Sequence, residues 1–391
     1  MKEEKIKISR IVEEIPPSGI RAFFDLVLGM EDVISLGVGE PDFITPWNIR
    51  EAGIYSLEQG QTSYTSNKGM MKLRLAISRH IKNNYNVSFD PDSEILVTTG
   101  VSEGIDLSMR ALVEKGDVVL IPTPSYVAYG PLARLAGANA RVIKTKFSDG
   151  FKLKPQMIDE ACDARTKAIV LNYPTNPTGV SYTKKELEGL IKVIKKRNLI
   201  VISDEVYSEL SFDFKHTPLV TLPLMRERTV YLNGFSKGFA MTGWRVGYAC
   251  GPKEVIAAMT KIHQYSMLCA PITGQLAAVE ALENSKDAVS EMNREYRRRR
   301  EYVFSGLNEL GLKCSRPQGA FYIFPSIEIS GLTCDKFAKA LLEKERVAVV
   351  PGLAFGEGLE KFVRISYASE LADLKEALSR ISNFLKKIKN R

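Results

Sequence analysis

From about residue 45 to residue 285 the chain alternates short apolar runs with longer stretches in which apolar residues recur every three or four positions. The runs Ile95–Thr99, Val118–Pro122, Arg141–Thr145, Ala168–Asn172, Leu199–Ser203, Thr229–Asn233 and Val246–Cys250 have strand length. The stretches Ser102–Glu114 and Lys184–Lys196 carry the helical period. Strands separated by helices predict an α/β architecture, a mostly parallel seven-stranded sheet flanked by helices. Gly100, Pro122, Pro174 and Asp204 lie at or just beyond the ends of the first, second, fourth and fifth runs. In such sheets a ligand sits outside the carboxyl ends of the strands.

The pattern changes after Ser285. A long polar helix is predicted over Arg294–Glu309, then short strands at Ala320–Phe324, Ala348–Val350 and Val363–Ser366, and a last helix from Ala372 to about Lys386. This predicts a smaller α+β domain over residues 286–391, completed by residues 1–45 with a helix around Ile20–Gly29, against a larger domain at 46–285. No repeat, low-complexity segment or long linker interrupts the chain.

Composition narrows the function classes. With 391 residues, 45% hydrophobic and 26% charged, the chain has an ordinary globular make-up. No apolar run approaches the ~20 residues of a membrane span, and the mixed charges of Met1–Lys5 do not resemble a secretory signal. A cytoplasmic protein without a membrane partner is expected. Five scattered cysteines suggest neither a disulfide frame nor a zinc site, and three histidines leave little for a histidine-based metal site, so no metal is expected. The net charge of +8 is concentrated at Arg297–Arg300 and in the tail Lys386–Arg391. These are expected to be a solvated helix face and a helix end, without the interleaved aromatics of a nucleic-acid surface.

The densest chemical signal is Gly234-Phe235-Ser236-Lys237-Gly238-Phe239-Ala240-Met241-Thr242-Gly243-Trp244-Arg245-Val246-Gly247. It places Lys237 in the turn after a strand. Desolvation and nearby positive charge lower a lysine's pKa and free its amine to form an imine with an aldehyde. Arg245 and the Ser236 hydroxyl are candidates to hold a phosphate. No P-loop is present, and Gly37-Val38-Gly39 is followed by Glu40-Pro41-Asp42, a poor start for the helix of a dinucleotide fold.

This segment resembles the cofactor-attachment signature of the class I/II aminotransferases, the fold-type I enzymes dependent on pyridoxal 5'-phosphate (PLP). Gly37–Phe43, Tyr64-Thr65 with Gly69, Pro124–Tyr129, Asn172–Gly179, Ser203–Tyr207, Gly319–Pro325, Val349–Gly356 and Val363–Tyr367 match the family in its own order, over nearly the whole chain. The likeness is closest to prokaryotic aspartate, aromatic and N-acetyl-diaminopimelate aminotransferases. It implies a fold-type I transferase with residues 46–285 as the PLP-binding domain, and a homodimer. Lys237 is then the catalytic lysine that carries PLP, and Asp204 lies against the ring nitrogen. Tyr207 and Asn176 reach the phenolic oxygen, and Tyr126 lies over the ring face. Val101, Ser102, Ser236 and Arg245 hold the phosphate, together with Tyr64 from the partner subunit. Arg364 clamps the substrate α-carboxylate, helped by Gly39, Asn176 and Tyr126.

Two positions depart from the family. Gly234 stands where a serine is common, and Ser102 stands where one branch of aspartate aminotransferases has a lysine for the second carboxylate. The resemblance therefore implies transfer of an amino group from an L-amino acid, with an aromatic or other neutral side chain favoured, to 2-oxoglutarate or another 2-oxo acid. Aspartate or N-acetyl-diaminopimelate transamination, or a PLP lyase or synthase on the same fold, are the alternatives. Ile20, Tyr126, Tyr129 and Phe321 are candidates for a side-chain pocket, and Arg21 for a distal carboxylate.

Overall fold

The computed structural model describes residues 6–17, 19 and 29–389. Ile20, Arg21 and the helix expected around Ile20–Gly29, apart from Gly29 itself, lie outside them. All seven strands of the main sheet form: β2 (Ile95–Thr98), β3 (Val118–Thr123), β4 (Asn139–Lys144), β5 (Thr166–Asn172), β6 (Ile200–Asp204), β7 (Thr229–Gly234) and β8 (Gly247–Cys250). They follow β1, the short strand Ile34–Ser35. Their order is β2-β8-β7-β6-β5-β3-β4. Neighbours pair in parallel except at β8, which runs against both β2 and β7.

Both faces of the sheet are covered, which explains the continuous apolar runs. Ala168 and Val170 of β5 pack with Ile105, Met109, Ile256 and Met259 from the helices Gly100–Leu112 and Lys253–Ser266. The alternate residues Ile169 and Leu171 pack with Leu187, Leu190 and Ile194 of the helix Lys184–Lys196. That helix starts on a capping box, Thr183 with Glu186.

The later strands are β9 (Tyr322–Ile323), β10 (Val347–Ala348), β11 (Val350–Pro351) and β12 (Val363–Ser366). The antiparallel trio β11-β12-β9 carries Arg364. β1 pairs in parallel with β10, so the amino-terminal segment joins this region. The chain closes with the helix Leu371–Lys389.

One expectation is corrected here. The polar helix begins at Lys286, not Arg294, and its basic run is only half solvated. Arg297 and Arg298 are exposed, whereas Arg299 and Arg300 are buried. At about 100° per residue a run of four goes most of the way round the helix, so the four arginines cannot all face solvent. The two buried guanidinium groups are compensated by carboxylates, Arg299 by Asp42 (2.7 Å) and Arg300 by Asp213 (2.9 Å). Among the described residues no helix is long and apolar enough to cross a membrane.

Candidate active site

The carboxyl ends of β2, β3, β5, β6 and β7 open on one cleft of about 790 Å³. Lys237 stands in the turn after β7, and its Nζ donates to the Gly39 carbonyl at 2.6 Å. Burial pushes its ammonium down to about 8; Glu40 opposes this, and Arg364 and Arg245 add to it. A useful fraction of free amine therefore exists near neutral pH.

Asp204 ends β6 and is almost fully buried. Burial pushes its carboxyl up to about 6, against hydrogen bonds from the Tyr129 hydroxyl (2.7 Å, to Oδ2) and the Val206 N–H (3.2 Å, to Oδ1). A buried carboxylate of this kind is best completed by a cationic group in the cleft. Tyr207 shares a hydrogen bond with Tyr322 (3.0 Å). Burial raises the Tyr207 and Tyr129 phenols well above their ordinary value, so both remain donors.

Arg364 reaches the cleft from β12. Its Nη1 donates to Asn176 Oδ1 (3.0 Å) and its Nη2 to the Gly37 carbonyl (2.5 Å). Its Nε is buried without a partner, and no carboxylate pairs with it among the described residues. A planar cation with a donor to spare fits a carboxylate ligand.

The opposite corner suits an anion. Gly100 turns the chain from β2 into the helix Gly100–Leu112 with φ +75°, and Val101 and Ser102 form the first turn at the cleft wall. Arg245 lies beside them with φ +55°, a conformation that side-chain-bearing residues adopt at some strain. Its Nη1 donates only to the Thr242 carbonyl (3.0 Å), and among the described residues it has no carboxylate partner. A Cβ on Gly100 would come within 2.5 Å of Arg245 Nη2, so the glycine makes room for that guanidinium.

Lys237, Asp204, Tyr207, Asn176, Tyr126, Val101, Ser102, Ser236, Arg245, Gly39 and Arg364 all line this cleft. Tyr64 does not. It is 83% exposed, and the large apolar side chains Trp47, Tyr55, Leu57 and Tyr265 are exposed as well. Together the groups can hold a ligand with a basic ring nitrogen, a carbonyl and a phosphate, beside a second ligand with a carboxylate.

Comparison with known proteins agrees with this chemistry. The profile of the family "Aminotransferase class I and II" matches residues 31–381. The chain belongs to the class I and II aminotransferases. It is 50% identical to a putative aminotransferase of Bacillus subtilis, over 97% of this chain and 98% of that one. It is 44% identical to an aspartate aminotransferase of Pyrococcus abyssi, over 96% and 97%. The crystal structure of an aromatic aminotransferase from Pyrococcus horikoshii superposes with a TM-score of 0.90 at 43% identity, covering 95% of this chain and 99% of that one.

Three residues at or behind the cleft of this aminotransferase escape a reading of the sequence in their actual parts. Tyr129 lines the cleft, but its hydroxyl is spent on Asp204. Phe321 lies behind Lys237, its ring centre 6.0 Å from Nζ, and is fully buried. Asn172 bonds both the Asp204 carbonyl (2.9 Å) and the Asn176 N–H (3.0 Å), tying two strand ends together. Its sequence signals are its place at the end of an apolar run and at the head of the family-like segment Asn172–Gly179, and neither tells of this double tie. The glycine at position 234 also finds a reason, since a Cβ there would sit 3.1 Å from Val101 Cγ2 and 3.0 Å from Gly247 Cα.

Proposed function

We propose that this aminotransferase uses PLP, held on Lys237, to move an amino group between an L-amino acid with an aromatic or other neutral side chain and 2-oxoglutarate or another 2-oxo acid, in a ping-pong cycle. One observation carries the reading. A lysine lowered to about 8, a buried carboxylate raised to about 6 and an arginine without a carboxylate partner converge on one cleft.

The groups present fit the cofactor. Asp204 would hold the proton on the ring nitrogen, and Tyr207 would donate to the phenolic oxygen. Asn176 has its Oδ1 engaged by Arg364, which leaves its amide NH₂ for the same oxygen. The Val101 and Ser102 N–H groups, Ser236 and Arg245 would take the phosphate, and Tyr126 would cover the ring. When bound, PLP supplies the electron sink for charge left at the substrate Cα. The chain's own groups do the rest. Arg364 and Asn176 orient the α-carboxylate, and the Gly39 carbonyl, which now holds Lys237, marks the substrate side. Lys237 Nζ takes the Cα proton and returns it, base and acid in turn.

The preference for a neutral side chain rests on a shortage of cations. Among the described residues lining the cleft only Lys237, Arg245 and Arg364 are cationic, and all three have tasks. Glu40 adds a negative charge to the lining. A second carboxylate, in aspartate and N-acetyl-diaminopimelate as in 2-oxoglutarate itself, would need a further cation, so among acceptors another 2-oxo acid suits this lining better.

The exposure of the large apolar side chains Trp47 and Leu57, and of Tyr64, supports a homodimer in which Tyr64 reaches the partner's phosphate. We assign residues 46–285 to a large domain and 1–45 with 286–391 to a small one. Arg364 and Lys237 then sit on opposite domains and draw together over substrate. Five cysteines, none in a disulfide, suit a cytoplasmic setting.

Rapid mixing of the PLP-loaded enzyme with a panel of amino acids tests this. Aromatic and other neutral amino acids are expected to convert the lysine-bound cofactor to pyridoxamine phosphate faster than aspartate does. If aspartate is fastest the substrate assignment fails, and if no amino acid converts it the transamination reading fails.

A further inference from the structure

Each of the three histidines meets a glutamate: His80 with Glu209 (3.4 Å), His216 with Glu205 (2.6 Å) and His263 with Glu103 (2.6 Å). The third pair lies directly behind the anion corner. Glu103 belongs to the first turn of the helix Gly100–Leu112, one residue after Ser102. A carboxylate there is placed to accept helix N–H groups, the same donors that an incoming phosphate needs.

Both of its oxygens are engaged elsewhere. Oε2 accepts the Thr99 N–H at 2.5 Å, on the strand side of the Gly100 turn. Oε1 meets His263 Nδ1 at 2.6 Å. His263 is fully buried in the helix Lys253–Ser266, which packs against the Gly100–Leu112 helix in the core on one face of the sheet. Thr99, the N-cap residue, makes no side-chain bond to the helix. Among the described residues, therefore, no side chain caps the first turn at Val101 and Ser102, which line the cleft.

We propose that His263 is a positioning residue for cofactor binding: it holds Glu103 turned back onto Thr99, keeping a competing carboxylate away from the Val101 and Ser102 N–H groups that receive the phosphate. The proposal deepens the PLP reading and rests on it. Glu103 then has two states. Pinned by His263 it braces the Gly100 turn from behind, and released it caps its own helix and repels the phosphate.

The test is the affinity of the cofactor-free enzyme for PLP and for pyridoxal, which lacks the phosphate, both followed by the absorbance of the Lys237 imine. In His263→Leu, PLP is expected to bind about tenfold more weakly, the scale of one hydrogen bond to a charged group, while pyridoxal binding stays unchanged. His263→Asn, whose amide nitrogen can stand where Nδ1 stands, is expected to restore PLP affinity to within about threefold of the parent, on the same scale. Unchanged PLP affinity in folded His263→Leu overturns the proposal, and so does parallel weakening of PLP and pyridoxal, the signature of a merely loosened core. If the leucine variant does not fold, His263→Asn is compared with His263→Gln, whose longer side chain misplaces the donor; equal PLP affinities then overturn it. Failure of the underlying reading looks different: the parent enzyme itself would bind pyridoxal as tightly as PLP.

Discussion

At the scale of single residues, the cleft is built from groups held away from their ordinary chemistry. Asp204 shows what that costs. Its pKa of about 6 lies above the ordinary value of 3.8, so the folded protein holds this proton more tightly than the unfolded chain does. Its contribution to stability is therefore fully present below pH 4 and is lost as pH rises through 6. At pH 8, without cofactor, the ionised group opposes folding by up to about 3 kcal/mol. Asp204→Asn is thus expected to melt above the parent at pH 8 when both are cofactor-free, with the gap closing towards pH 4, while its affinity for PLP falls. Thermal unfolding at the two pH values decides this, and a variant that melts lower at pH 8 would show that Asp204 is structural. The Asp204 position was legible in the sequence because it closes an apolar run. The Tyr129 hydroxyl that bonds it was not, since a tyrosine near a cleft signals nothing about where its one donor points.

At the scale of elements, the strands were readable because helices cover both faces of the sheet, leaving apolar runs bounded by turn residues. The start of the helix Lys286–Glu309 was hidden by its polar first turns. The burial of Arg299 and Arg300 had a signal that charge alone obscured. Tyr296, Arg299, Arg300, Val303 and Leu307 follow one helical stripe, and all five are buried. The turn at Gly100 was visible as a glycine after a strand, but its close approach to Arg245 needed coordinates. That approach carries an expectation. Gly100→Ala places a methyl where Arg245 Nη2 now lies and puts an alanine at positive φ. Cofactor affinity should fall by about tenfold or more, with roughly 1 to 2 kcal/mol lost from stability. Equilibrium binding of PLP measures the first; an unchanged affinity would remove Arg245 from the phosphate site.

At the scale of the whole molecule, the cleft joins residues far apart in sequence, from Gly39 to Arg364, and the site is proposed to be completed by a second copy of the chain. The exposed side chains of Trp47, Leu57 and Tyr64 are the structural support for that copy. Trp47→Glu together with Leu57→Glu is expected to yield a folded monomer that binds PLP weakly and has lost most of its activity. Light scattering beside an activity assay reports both, and a fully active monomer would refute the shared site.

All of these expectations depend on where the cofactor is attached. The most direct measurement is borohydride reduction of the PLP-loaded enzyme, followed by digestion and mass mapping of the labelled peptide. The account predicts a single label on Lys237, with uptake rising as pH passes through about 8, where its amine loses its proton. A label on another lysine, or no stable label at all, would contradict it.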